Sequence, residues 1–106
     1  MENKNQFIEV LLKNYDKFTW TRDNSKFSTY ISDYTISVDS AQTGVVIRVK
    51  YKDEHGNYDS YNQYDDENTN VKVLYGLIYD LWNKLQEENF WQKATLELSR
   101  EAINRI

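Results

Sequence analysis

The stretch that decides the fold runs from residue 26 to residue 52 and reads KFSTYISDYTISVDSAQTGVVIRVKYK. Apolar and polar side chains alternate along most of it. A period of two residues is typical of a β-strand that buries one face. The alternation is interrupted at 32–33, which read Ser-Asp, and at 40–43, which read Ser-Ala-Gln-Thr. Both places are predicted to be turns. The stretch therefore predicts three antiparallel strands joined by short turns.

A further strand is predicted upstream, because Phe18 and Trp20 alternate with threonines before a predicted turn at 23–26. The turns place the apolar residues of all four strands on one face of the sheet. The predicted cross-strand partners are Trp20 with Thr29, Thr29 with Ile36, and Ile36 with Ile47. A slip of one residue would turn a whole strand over, so this agreement favours a four-stranded antiparallel meander.

A fifth strand is predicted at 58–63, after a turn in which Gly56 supplies a positive φ. Two registers are open for it. A two-residue loop would place Lys52 opposite Asp59, whereas a β-bulge would turn Tyr61 toward the core. In either case this is an edge strand.

Helical spacing of apolar residues is found at 7–15, at 71–85 and again at 91–102, and Asn89 is a candidate break between the last two. We therefore predict one α+β domain over residues 1–106. It has an N-terminal helix, a four- or five-stranded antiparallel meander, and one long or two consecutive C-terminal helices packed on one face of the sheet. Gly76 lies inside the helical pattern at 71–85, where glycine is unfavourable relative to alanine. Its presence there predicts that this helix packs closely on the sheet.

The residue types present argue against an enzyme. Cysteine is absent, and the single histidine, His55, falls in a predicted turn. The three glycines are isolated, so no phosphate-binding loop is predicted. We predict no catalytic residues, no cofactor and no metal site. The chain shows neither a signal-peptide pattern nor an apolar run that could span a bilayer, so a cytoplasmic protein without a membrane partner is expected.

The formal net charge of −4 is concentrated in one segment, because residues 53–71 contain six acidic residues and no lysine or arginine. Tyrosines are interleaved with these acids, and tyrosine-rich surfaces often bind proteins. We predict a small acidic protein-binding module and list its candidate partner-binding residues as Asp53, Glu54, Tyr58, Asp59, Tyr61, Tyr64, Asp65, Asp66 and Glu67. One such function is inhibition of a host nucleic-acid enzyme or defence system, such as a CRISPR or restriction effector, because closely spaced carboxylates can occupy a groove built for phosphates.

Three alternatives stay open on the sequence. A small ligand or nucleotide would bind between the sheet and the helices, stacked on aromatic residues drawn from Trp20, Tyr34, Tyr75, Tyr79 and Trp82. A homodimer or larger assembly would form through the C-terminal helix. Direct nucleic-acid binding is not favoured, although Arg48, Lys50 and Lys52 line one face of a strand, because the neighbouring acidic strand is expected to neutralise them.

Three short motifs lie between the helical patterns at 7–15 and 71–85, and their order carries a resemblance. They are Phe-x-Trp at 18–20, Tyr-x-Ile-x-Val at 34–38, and Val-Ile-x-Val-x-Tyr-x-Asp-x-x-Gly at 46–56. This order resembles small uncharacterised proteins of low-GC Gram-positive bacteria and of their phages and mobile elements. The resemblance covers about residues 7–85, and it implies neither an activity nor any site residues.

Overall fold

The computed structural model describes residues 2–105, and within them it contains two α-helices, one 3-10 turn and five β-strands. In chain order the elements are α1 (Glu2–Asn14), the 3-10 turn (Tyr15–Lys17), β1 (Thr21–Asp23), β2 (Lys26–Ile31), β3 (Tyr34–Ala41), β4 (Gly44–Lys52), β5 (Tyr58–Tyr64) and α2 (Asn70–Asn104). The strands form one antiparallel sheet in the order β1-β2-β3-β4-β5. The predicted α+β class is confirmed. Of the alternatives that the sequence left open, the structure has the five-stranded meander and the single long C-terminal helix.

Both helices pack on the same face of the sheet, which we call the helix-side face. This face presents the alternating apolar residues of β2, β3 and β4, and they are joined in one core by side chains of both helices. The buried apolar members are Ile8, Leu11, Trp20, Phe27, Ile36, Val38, Val45, Ile47, Val71, Leu74 and Ile78. No helix of residues 2–105 covers the opposite face, which we call the uncovered face.

The register between β2 and β3 agrees with the prediction, since Thr29 pairs with Ile36 across a two-residue turn. The predicted register between β3 and β4 is wrong by two residues: Ile36 pairs with Val49 and not with Ile47. The strands continue to a two-residue turn at 42–43, where a four-residue turn was expected. Because the shift is even, every apolar side chain keeps its predicted face.

The first strand is shorter than predicted and covers only Thr21–Asp23, although its register against β2 agrees with the prediction. Phe18 and Trp20 precede it in irregular structure. Trp20 is nevertheless buried, and its indole Nε1 donates a hydrogen bond of 2.8 Å to the carbonyl oxygen of Tyr15. The indole therefore anchors the 3-10 turn to the core.

The fifth strand is present, but its register differs from the first predicted alternative. Lys52 pairs with Tyr58 and not with Asp59, and Tyr61 lies on the helix-side face opposite Val49. The cause is the loop at 53–57, in which the Asp53 amide donates to the carbonyl oxygen of Asn57 at 2.9 Å. The loop between the paired residues 53 and 57 therefore has three residues, one more than the predicted two-residue loop. The extra residue shifts the pairing of β5 by one position.

The last element, α2, is one unbroken helix of 35 residues, and Asn89 does not interrupt it. Its buried residues, Val71, Leu74 and Ile78, all lie near its start. From residue 83 to residue 105 every residue except half-buried Ala94 is exposed. The helix therefore packs on the sheet with its first third only, and the molecule is elongated, with principal extents of 65 × 34 × 25 Å.

Gly76 does not mark close packing, contrary to the expectation from sequence. It is exposed, and a Cβ atom added there would meet nothing within 4 Å. A glycine in a helix interior costs about 1 kcal/mol relative to alanine. We expect Gly76→Ala to raise the free energy of unfolding by about that amount, as measured by urea denaturation followed by circular dichroism.

Gly44→Ala is the matched control, and we expect the opposite sign for it. Gly44 has a φ of +129°, and an added Cβ would collide with the Asp65 carboxylate. Equal effects of the two substitutions would contradict this account of the two glycines.

Candidate interaction surfaces

The nine residues predicted to bind a partner do not form one continuous surface, because β5 divides them. Tyr58 and Tyr64 lie on the uncovered face, whereas Asp59 and Tyr61 lie on the helix-side face. The remaining acids lie beyond the two ends of the strand: Asp53 and Glu54 precede it, and Asp65, Asp66 and Glu67 follow it. A strand of this length separates the two acidic groups by about 20 Å.

Several of these acids have local structural contacts. One Asp53 carboxylate oxygen accepts hydrogen bonds from the His55 and Asn57 amides, at 2.9 and 2.8 Å, and so holds the loop closed. The Glu67 carboxylate lies 4.0 Å from the Lys4 ammonium group. Within the acid-rich segment, Asp53 therefore stabilises the β4–β5 loop and Glu67 lies close to Lys4 of α1.

His55 lies in the β4–β5 loop, as its sequence context predicts, with its Nε2 atom 3.5 Å from a Glu54 carboxylate oxygen. Both side chains are largely exposed. Within residues 2–105, no group of three or more His, Cys, Asp or Glu side chains is arranged to hold a metal ion. The geometry around His55 is that of an exposed loop side chain.

Four of the five aromatic residues proposed to stack on a small ligand are part of the protein's own packing. Trp20 contributes to the core, while Tyr75, Tyr79 and Trp82 surround Phe27 with ring-centroid distances of 5.6, 6.0 and 6.2 Å. The Tyr75 hydroxyl donates to the Ser25 carbonyl oxygen at 2.9 Å. Burial raises the pKa of that hydroxyl above its usual value, an effect that the nearby Arg22 guanidinium partly opposes.

The guanidinium of Arg22 packs against three rings of this aromatic cluster. Its Cζ atom lies 5.1 Å from the ring centroids of both Tyr79 and Trp82, and 5.6 Å from that of Phe27. Tyr34 does not belong to the cluster, because its ring stacks on Tyr51 at the other end of β3.

The small-ligand hypothesis stays a prediction. The feature nearest to its expected site is an open groove of about 390 Å³ between residues 16–20 and α2.

The second half of α2 is a further surface, which we call the helical arm and define as residues 86–104. Large apolar side chains are exposed along it, and they include Trp91 at 60% and Leu98 at 73% exposure. The Phe90 and Trp91 rings contact one another edge-to-face at 5.3 Å. The helical period at 91–102 predicted that this part of the chain is helical. It did not predict that the sheet would leave the helical arm uncovered.

Comparison with models of protein families, with curated proteins and with solved structures found no match to this chain. Neither helix in residues 2–105 combines the length and the apolar character that crossing a bilayer requires. Any functional proposal for this protein therefore rests on the surfaces described above.

Proposed function

We propose that this protein is a protein-binding module and not a self-sufficient enzyme, and that its helical arm binds a second copy of the chain. The observation that carries the proposal is the exposure of Trp91 and Leu98 on a helix that leaves its own core. Most helical stability in proteins comes from packing of an apolar face against other elements, and the residues of the arm are exposed except for half-buried Ala94. Contiguous exposed apolar side chains typically mark an interaction surface.

On the side of α2 opposite to its buried residues, the arm has a stripe with the spacing of a coiled-coil seam. Steps of three and four residues alternate along it, which is the repeat that lets two helices pack side by side. The stripe consists of Glu88, Trp91, Thr95, Leu98 and Ala102 in the arm, followed by Arg105 directly after the end of α2. It points away from the sheet, since Trp91 and Leu98 lie on the side of α2 opposite to Ile78 and Trp82. A second chain can therefore approach without displacing the core.

The stripe is complementary to itself when the two arms run antiparallel. With Thr95 opposite Leu98 of the second copy, Trp91 falls opposite Ala102 and Glu88 falls opposite Arg105. A large side chain then meets a small one, and a carboxylate meets a guanidinium at each end. A parallel pair in register would place Glu88 against Glu88 and Trp91 against Trp91, which like-charge repulsion and crowding disfavour. The antiparallel dimer is therefore the arrangement that we propose.

Inhibition of a host nucleic-acid enzyme stays a prediction that none of these surfaces tests. The acidic residues on which it was based are divided between the two ends of β5. A partner that binds them all would have to follow the edge strand along its length.

The proposal is tested by the mass of the full chain in solution. We expect sedimentation at micromolar concentrations to give a dimer, and we expect a chain ending at Glu88 to be a monomer. The shortened chain keeps every buried core residue, so its circular dichroism should still report a folded sheet. A monomeric full chain over the whole concentration range, or a truncated chain that remains dimeric, would contradict the proposal.

A further inference from the structure

We propose that the uncovered face of the sheet binds single-stranded nucleic acid. The side chains of Arg48, Lys50 and Lys52 point outward from β4 on this face, at every second residue. All three are exposed. Alternate residues of a strand lie about 7 Å apart, so the three cations form a straight row that a phosphate backbone can follow.

The sequence analysis expected acidic residues of β5 to neutralise Arg48, Lys50 and Lys52, but no acidic residue of β5 is paired with them. The residues of β5 opposite the three cations are Asn62, Ser60 and Tyr58, because the β4–β5 loop shifts the register by one residue. The same shift sends Asp59 to the helix-side face. Among residues 2–105, no carboxylate oxygen lies within 4.0 Å of a charged nitrogen of the three cations. The Arg48 Nε atom donates a hydrogen bond of 3.0 Å to the Asn62 Oδ1 atom. Since no carboxylate of the described residues neutralises the row, it can bind an anion.

Two acids that share the uncovered face lie toward its other end, whereas Asp33 lies in the β2–β3 turn beside Lys52, whose amide donates a hydrogen bond of 3.1 Å to the Asp33 carbonyl oxygen. Asp23 and Asp39 occupy the row that pairs Lys26 with β3, beyond Arg48 and farthest from Lys52. One Asp39 carboxylate oxygen accepts a hydrogen bond of 2.7 Å from the Ser25 hydroxyl. The positive part of the face is consequently centred on Lys50, which lies between these two groups of acids.

Exposed tyrosines flank this positive row. Tyr58 is 63% exposed and stands beside Lys52, whose ammonium nitrogen lies 5.9 Å from the ring centroid. Tyr30 is 70% exposed and lies in the same cross-strand row as Lys50, with Thr35 between them. Unpaired bases stack on such rings irrespective of sequence, while cations follow the backbone.

A single strand fits this face better than a duplex. The bases of a duplex are already stacked on one another, so tyrosines on a flat sheet can contact only unpaired bases. Thr35 lies between Tyr30 and Lys50, while Ser60 and Asn62 lie on β5 beside Lys50 and Arg48. Their hydroxyl and amide groups can donate hydrogen bonds to phosphate or sugar oxygens. With three cations in contact, the logarithm of the affinity should fall with the logarithm of salt concentration with a slope of about −2.

The test uses the full chain and fluorescein-labelled oligothymidylate and oligouridylate at low salt, with binding measured by fluorescence anisotropy. A labelled duplex, heparin and polyglutamate serve as competing ligand classes. We expect Lys50→Glu to weaken binding to the single strand about tenfold. Tyr58→Ser should weaken it about fivefold or more. The control is Lys72→Glu, which makes the same charge change on an exposed position of α2 and should have little effect.

Each contrary result is informative. Absence of single-strand binding at low salt would overturn the proposal. Equal weakening by Lys50→Glu and Lys72→Glu would show an effect of net charge alone, which also overturns it. Heparin or the duplex binding as tightly as the single strand, with no effect of Tyr58→Ser, would indicate a general polyanion surface instead. Binding of polyglutamate alone would indicate an acidic protein partner and would likewise contradict the proposal.

Discussion

Leu98→Lys is expected to convert the protein from a dimer to a monomer. In the proposed antiparallel pair Leu98 faces Thr95 of the other chain, and it does so twice because of the two-fold symmetry. A lysine there places two ammonium groups in the apolar centre of a short seam, where each must be desolvated without a carboxylate partner. Sedimentation of the full chain measures the result.

The chain provides a closely matched control in Leu96. The two leucines have similar exposure, 65% for Leu96 and 73% for Leu98. They differ in direction by about 160° around the helix axis, so Leu96 lies off the seam. We expect Leu96→Lys to leave the dimer intact. If both substitutions dissociate the dimer, or neither does, the proposed seam is wrong even if the arm is an interface.

Phe27→Ala is expected to lower the free energy of unfolding by about 3–5 kcal/mol. Phe27 is fully buried in β2, and its ring packs edge-to-face against three aromatic rings of α2. Removing it leaves a cavity at the contact that joins the sheet to the helix. Since a domain is stable by only about 5–15 kcal/mol, this loss brings the protein close to unfolding.

Urea denaturation measures the effect of Phe27→Ala, with Tyr30→Ala as its control. Tyr30 is on the same strand but on the uncovered face, and its exposure of 70% predicts a change within about 0.5 kcal/mol. Both variants are best compared in the Leu98→Lys background, because dimer formation would make stability depend on protein concentration. Similar losses for the two variants would contradict the central role of Phe27.

The faces of the sheet could be predicted from sequence, whereas two of the registers could not. Alternation of apolar residues specifies which side chains point inward, and that prediction survived a two-residue error between β3 and β4. Register depends on loop geometry, and the β4–β5 loop is fixed by hydrogen bonds to the Asp53 carboxylate. An aspartate just before a short glycine-containing loop is a signal for such a turn, but it does not specify the residue count.

The exposure of the helical arm could have been inferred from dimensions, although not from periodicity. Five strands spaced about 4.8 Å apart form a sheet about 19 Å wide. A helix of 35 residues is about 52 Å long. A sheet of that width cannot cover such a helix, so an unbroken α2 must extend past it. The sequence left the break at Asn89 open, and with it the presence of the arm.

The absence of a break at Asn89 has a consequence for avidity. A continuous helix is a stiff spacer, so an antiparallel pair would hold two sheets at opposite ends of the assembly with a fixed separation. Linked sites that a single ligand can reach together bind it more tightly than either site alone, whereas a ligand too short to span them gains nothing. Affinity for a single strand should then increase sharply once the strand is long enough to bridge both sheets. The length of α2 would therefore determine the shortest nucleic acid that gains from binding both sheets.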